Sequence, residues 1–283
     1  MWPLRSMLFI PAHKTDWVQR VDRFRPDSIV LDLEDAVPRN LKVAARAQCR
    51  EAIGVLKAKG IPAFVRINGW DEGGRDDVLA VAAAGFSGVM LPKARDVGQV
   101  RELDRVLAYV EGREGLDFES IVIMPLPETA EGLADARLLV AASPRCCTLA
   151  GIEHHLGGQV KLLGPLQGGA KSHGARWPMA SIIGTALEDL AAVRTLVTRA
   201  RSLGFSGAIL IHPTHVAVAN EVFAPTPDEV DYYAGLIEAM QAAEARGDAA
   251  VRYRGIMVDY AMLPRAHDVL AEAKRFGIAR AGA

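Results

Sequence analysis

The chain has 283 residues, half of them apolar, enough for one barrel of roughly 250 residues and an appendage. Its 33 Lys and Arg balance 34 Asp and Glu, and a net charge of −1 offers no footprint for nucleic acid or an anionic membrane. No run resembles a signal peptide or approaches the roughly 18 apolar residues of a membrane span, so the sequence reads as soluble and cytoplasmic.

Eight short apolar runs follow one another: RSMLFIPA, SIVLDLED, PAFVRIN, GVMLPK, SIVIMPLPE, CCTLAGIEH, PMASIIG and GAILIHP. Helical-looking stretches separate most of them. Eight strand–helix units predict a (β/α)8 TIM barrel over residues 1–224, with reacting groups at the strand ends. The first run (4–11) leads into a helix expected over 16–24, and the second (28–34) into a long amphipathic helix over 41–58. Gly60-Ile61-Pro62 punctuates entry to the third. After Asn68, GWDEGGRDD reads as a polar, glycine-rich functional loop. A helix is expected over 97–111. In the sixth run Cys146 and Cys147 point to opposite faces, which excludes a disulfide framework or zinc finger and suits buried, inert thiols.

Residues 157–176 carry six glycines and Pro165, a cost of about 1 kcal/mol per interior helical Gly, so a loop with at most a short helix is expected there. A helix over 188–203 ends at Gly204 as a C-cap, and another is expected around 215–222. Residues 225–283 read as a C-terminal, mainly helical extension. A helix starts at Pro225-Thr226-Pro227-Asp228-Glu229 and runs to about 246, followed by a hairpin-like piece and a last helix over 263–276. This extension either packs across the barrel or reaches a neighbouring subunit.

The strand ends place Asp35, Arg66, Lys93, Glu128, Glu153 with His154, and His212 at one mouth. Glu128 and the Glu153-His154 pair end adjacent strands, which suits a sparse Mg2+ site. The bland alternative is that each acid caps a helix or forms a salt bridge. Arg66 offers a planar fork for a carboxylate, or neutralises Asp32, Glu34 and Asp35 beside it; an acid behind the arginine would also orient it. Lys93 has no desolvating surround, so a plain cation is favoured over a Schiff-base lysine. His212 is either an acid–base group or a hydrogen-bonded structural histidine.

RSMLFIPA, IVLDLEDAV, VRIN, GVMLPK, PLPET, GIEH, LGFSGAILIHPTHVAVANEVFAPTPDEV and GIMVD occur in the order and spacing of the citrate lyase β-subunit-like family. This family lies within the HpcH/HpaI aldolase superfamily and includes malyl-CoA and citramalyl-CoA lyases; the resemblance spans residues 5 to about 271. It implies a Mg2+-dependent, commonly trimeric barrel that cleaves a 3-hydroxyacyl thioester into acetyl thioester and a 2-oxo acid. Its implied partners are a CoA thioester and an oxo acid. By the same resemblance, Glu128 is a metal ligand, Arg66 binds the oxo-acid carboxylate, and Asp35 supports that region. The backbone around Ile152, Glu153 and His154 cradles the carboxylate. Phe9, Lys14 and Arg20 contact coenzyme A, and His212 lies among the substrate-binding groups. Asp259 handles protons from the tail of a neighbouring subunit.

The chain departs from the family's pattern at three places. His154 stands where the family's second metal ligand is Asp, Ser181 where relatives often carry Asp, and 157–176 replaces a helix. Imidazole suits Mn2+ or another transition ion better than Mg2+. Three outcomes stay open: Glu153 serves instead, the metal changes, or the usual reaction is lost. A citramalyl-CoA or malyl-CoA lyase is the leading expectation. The alternatives are a malyl-CoA hydrolase, a citryl-thioester lyase subunit, and an impaired member that only binds acyl-CoA or oxo acid.

Overall fold

Short β-branched and apolar runs alternating with helical stretches fold into parallel strands crossing over through helices. The structure, a computed structural model, describes residues 1–146, 148–149, 179–182 and 187–281. The chain divides into Met1–Phe223 and Ala224–Ala283.

In the first unit the strands are β1 (Ser6–Pro11), β2 (Ser28–Asp32), β3 (Ala63–Arg66), β4 (Phe86–Leu91), β5 (Val122–Pro125), β6 (Met179–Ile182) and β7 (Gly207–Leu210). They form one parallel sheet in the order β5-β4-β3-β2-β1-β7-β6. The free edges of β5 and β6 are joined by the sixth apolar run. Ile123 N donates to Arg145 O (3.0 Å), Ile123 bridges Cys146 in parallel, and Met179 N donates to Leu149 O (2.9 Å). The ring closes, and the fold is a TIM barrel.

Alternation along the strands separates two cores. Met7, Val30, Phe64, Met90, Met124, Met179 and Ile209 fill the barrel interior, while Leu8, Ile29, Val65, Val89 and Ile123 pack outward against helices. Gly88 leaves room for the interior, since a Cβ there would lie 2.6 Å from the Phe64 ring.

The surrounding helices are α1 (Thr15–Gln19), α2 (Lys42–Ala58), α3 (Gly74–Val81), α4 (Val97–Glu114), α5 (Ala130–Ala134), α6 (Ala136–Ala141), α7 (Leu190–Ser202) and α8 (His215–Phe223). Two differ from expectation. The segment after β1 is a short α1 and then a 3₁₀ turn, Val21–Arg23. That three-per-turn winding sends both Val18 and Val21 into the core. The glycine-rich run after Asn68 is not all loop, because α3 starts inside it. Gly74 opens α3 where a Cβ would meet Asn68 O at 2.5 Å, and Asp77 is fully buried. Gly204, at φ 95°, ends α7 as expected. Residue 147, residues 150–178 and residues 183–186 lie outside the described residues, so the expectations for Cys147, Ile152, Glu153, His154 and 157–176 do too. Cys49 and Cys146 are buried, and neither is in a disulfide.

The second unit consists of α9 (Pro227–Glu244), an antiparallel hairpin of β8 (Ala250–Tyr253) and β9 (Ile256–Asp259), and α10 (Leu263–Phe276). Thr226 and Glu229 form a reciprocal capping box at α9. Arg254 and Gly255 turn the hairpin at φ 45° and 89°, the signature of a two-residue primed turn. Leu236, Met240, Val258 and Ala266 make its core. Among the described residues no helix is long and apolar enough to cross a membrane.

Candidate active site

Parallel register sets the top layer of the barrel. Pro11 aligns with Asp32, Asp32 with Arg66, and Arg66 with Met90, so the Asp32 and Arg66 side chains meet across neighbouring strands. Arg66 Nε donates to Asp32 Oδ1 (2.8 Å) and Nη2 to Asp32 Oδ2 (2.6 Å). Nη1 lies 3.0 Å from Glu34 Oε2, and the guanidinium stands 4.9 Å above the Phe9 ring. Asp32, only 1% exposed, is itself held by the N–H groups of Glu34 and Ala36. Burial would lower the Arg66 pKa, but the carboxylates of Asp32, Glu34 and Glu128 together outweigh it and raise it, so this cation is permanent. Among the described residues two of the five guanidinium N–H donors are hydrogen-bonded, both to Asp32, and Nη1 only faces Glu34, which leaves donors on both terminal nitrogens that a carboxylate could take.

Glu34 bridges two cations. Its Oε1 lies 3.0 Å from Lys93 Nζ and its Oε2 faces Arg66. Neither buried oxygen has a well-aligned hydrogen bond, so both keep accepting capacity. Burial pushes the Glu34 carboxyl above its ordinary value despite Arg66 and Lys93. Lys93 is half exposed, and its close contact with the Glu34 carboxylate raises its pKa. A Schiff-base lysine needs the opposite shift, so the plain cation is the reading that fits.

Thr129, not Glu128, caps α5: its side chain accepts from Gly132 N. Glu128, half-buried, is therefore free of that duty. Its Oε2 accepts from the backbone N–H of Lys93 (3.0 Å), a residue in the left-handed region at φ 50°. Gly132 keeps β4 and α5 close, since a Cβ there would sit 2.2 Å from Ala94 O.

The buried frame behind this layer includes residues that sequence reasoning did not single out. Lys42 Nζ donates to the carbonyls of Leu33 and Glu34, both at 3.0 Å, and to Asn68 Oδ1. Asn68 N and Nδ2 both donate to Asp77 Oδ2 at 2.7 Å, while Arg46 Nε holds Asp77 Oδ1. The ends of β2 and β3 are thereby tied to α2 and α3. A signal was present: VRIN ends on an amide that the barrel must bury.

Of the other expected residues, Asp35 is exposed and acts on Glu34 and Lys93 only through its field. Lys14 and Arg20 are exposed beside α1, and Arg20 pairs with Asp16 (2.7 Å). His212 Nδ1 and Thr214 Oγ1 are 2.6 Å apart. Asp259 belongs to the second unit, where its carboxylate accepts from Ala261 N (2.9 Å). Ser181 aligns with the inward-facing Ile209.

The donors fit a hard divalent ion. Glu34 offers buried oxygens without aligned donors, and Glu128 a half-buried carboxylate held by the same Lys93 that pairs with Glu34. Among the described residues no three His, Cys, Asp or Glu side chains converge as a metal cluster. An ion would rest on one or two carboxylates, with water and substrate completing its shell, as Mg2+ accepts.

Fold and mouth define a TIM-barrel protein with an arginine held by two acids beside further carboxylate oxygens. The chain belongs to the HpcH/HpaI aldolase/citrate lyase family of enzymes, whose model matches residues 5–152. It is 34% identical to a citrate lyase subunit beta-like protein of Deinococcus radiodurans, over 95% of this chain and 96% of that one. It is 31% identical to an L-malyl-CoA/beta-methylmalyl-CoA lyase of Cereibacter sphaeroides (96% and 95%), and 30% to a (3S)-malyl-CoA thioesterase of that species (99% and 98%). Two solved structures share the fold. One is a citrate lyase of Burkholderia xenovorans (TM-score 0.78, 20% identity, covering 99% and 94%). The other is CitE of Mycobacterium tuberculosis with magnesium, acetoacetate and coenzyme A (TM-score 0.64, 22% identity, 95% and 97%).

Proposed function

We infer that the protein is a carbon–carbon lyase that cleaves a 3-hydroxydicarboxylyl-CoA of the malyl-CoA or citramalyl-CoA type to acetyl-CoA and a 2-oxo acid. The observation that carries this is Arg66: a guanidinium held by Asp32 and Glu34 over Phe9, with donors on both terminal nitrogens that no described residue takes. The fork takes the carboxylate at the oxo-acid end and sets the scissile bond against the mouth. In the reaction the hydroxyl loses its proton, the carbon–carbon bond breaks, and the electron pair passes to the thioester, whose carbon is then protonated. Glu128, with Glu34 or Asp35 supporting, would hold Mg2+ or Mn2+, which when bound supplies Lewis acidity to the oxo-acid oxygens. In the same reading the backbone of Ile152, Glu153 and His154 binds the carboxylate, and His154 stands at the sequence position of the second metal ligand. Phe9, Lys14 and Arg20 receive the CoA, with His212 at the mouth.

Residues 225–283 act as a lid that carries Asp259 to a neighbouring subunit's mouth for proton handling, which requires a homo-oligomer, a trimer in this reading. A CoA thioester as substrate suits a cytoplasmic setting. Hydrolysis of malyl-CoA is the second reading, favoured by the 30% identity to a thioesterase over 99% of the chain. Product analysis decides between them. With malyl-CoA and citramalyl-CoA in Mg2+, Mn2+ or no metal, lysis releases acetyl-CoA with glyoxylate or pyruvate, and hydrolysis releases free CoA with the hydroxy acid. Turnover that survives Glu128→Ala undiminished would sink the metal-assisted reading. Unchanged Mg2+ affinity in His154→Asp removes position 154 from the ligand set.

A further inference from the structure

The groove between α3 and α4 carries charge that the barrel mouth does not use. It encloses about 950 Å3, within the size range of small-molecule sites. Arg75 and Leu79 line it from α3, and Arg105, Val106 and Tyr109 from α4. Spacings of four residues put Arg75 with Leu79, and Arg105 with Tyr109, on one face of each helix, and Val106 lies three residues before Tyr109. Both ends are tied. At one, Trp70 Nε1 donates to Glu102 Oε2 (2.9 Å) and Arg95 pairs with Asp71 (3.1 Å). At the other, Arg113 Nη2 donates to Leu79 O (2.8 Å).

Between these ends Arg75 and Arg105 have neither a hydrogen bond nor an ion pair among the described residues. Tyr109, one turn beyond Arg105, is 62% exposed, and Leu79 and Val106 supply an apolar floor. A smaller cleft shares Trp70, Asp71, Arg95 and Gln99 with the groove and reaches Lys93 and Thr129, so the groove continues toward the mouth. Uncommitted guanidiniums on both walls call for at least two negative charges, and the tyrosine face for a flat ring.

We propose that this groove binds a nucleoside phosphate, with the phosphates between Arg75 and Arg105 and the base against Tyr109. The same chemistry comes from two sources: a free nucleotide, or the nucleotide tail of a CoA thioester held at the mouth. Titration calorimetry with ADP, adenosine and CoA separates them, using wild type and the Arg75→Ser/Arg105→Ser double variant. Both arginines are exposed helix-surface residues, and circular dichroism checks that the variant folds. ADP binding at least tenfold tighter than adenosine, and weakened at least tenfold in the double variant, is the expected result. CoA weakened in parallel identifies the thioester tail as the occupant; unchanged CoA affinity identifies a separate nucleotide site. Absence of ADP binding, or ADP affinity unchanged by the double variant, overturns the proposal. Binding is read without turnover, so the test stands whether or not the protein is a lyase.

Discussion

Two arginines, each between two carboxylates, sit at opposite ends of the barrel strands. Arg145 enters just before the segment that closes the ring, fully buried. Its Nη1 and Nη2 donate to the two oxygens of Glu111 (2.6 and 2.7 Å), its Nε to Asp104 (2.5 Å), and Nη1 again to Ile121 O (3.1 Å). Glu111 also accepts from the N–H groups of Glu119 and Ile121, both at 3.0 Å. Burial would raise the Glu111 carboxyl, but these hydrogen bonds outweigh it and hold it below the usual carboxylate range. At the mouth, Arg66 has only two hydrogen-bonded donors among the described residues, and burial wins at Glu34, whose carboxyl is raised. The same residue types form a lock with four of five guanidinium donors committed at the end where barrels keep stability and, in the proposed reading, an unsaturated receptor at the end where they keep chemistry.

The sharpest way to break that contrast is to open the lock. Arg145→Ala strands Glu111 in the interior, and breaking a buried pair costs about 3–5 kcal/mol. Urea unfolding should show that loss, while the folded fraction keeps its KM for the CoA thioester. A comparable loss in kcat/KM of the folded protein would erase the distinction. At the mouth, Arg66→Lys keeps the charge for Asp32 but removes the fork. One charge-assisted hydrogen bond is worth about 1.5–3 kcal/mol, so kcat/KM should fall roughly ten- to a hundredfold with little change in the unfolding midpoint. If the lysine variant turns over substrate as well as wild type, Arg66 is not the carboxylate fork.

The two ends were unequally legible in the sequence. The apolar runs marked the strands, and the tail helix lies at Leu263–Phe276 as expected. Arg66 beside an acidic cluster was readable because register in a parallel sheet brings strand ends together. The α3 helix was obscured because Asp76, Asp77 and two glycines look like loop, whereas Asp77 is buried against Asn68. The lock was invisible for a related reason: its partners are 34 residues apart, and a glutamate in a charged helix reads as solvated. One clue stood in plain view, since Glu111 continues the Leu103, Leu107 stripe that faces the core.

A smaller difference concerns acid. Glu111 has a folded value below its unfolded one, so its share of stability is present above the ordinary Glu value, roughly 4.3, and is lost as pH falls through the folded value. Glu111→Gln should therefore lie well below wild type in unfolding free energy at pH 7 and approach it near pH 3. A gap that stays constant with pH would mean that packing, not charge, makes the lock.

Glu34→Gln is the mildest test and runs with the opposite sign. Its folded value lies above the unfolded one, so the native state binds its proton more tightly. Wild-type stability from this group then falls as pH rises from the ordinary Glu value through the raised one, and stays lower above it. Replacing the charge with an amide leaves Arg66 bound to Asp32, so the variant should be as stable as wild type at low pH and at least as stable at pH 7. Its kcat/KM should nonetheless fall, because Lys93 and the free edge of Arg66 lose the carboxylate between them. A stability maintained at the expense of turnover is what an unsaturated receptor predicts. A variant that unfolds more easily at pH 7 than wild type would instead make Glu34 a second lock, and the mouth would no longer differ in kind from the Arg145 cluster.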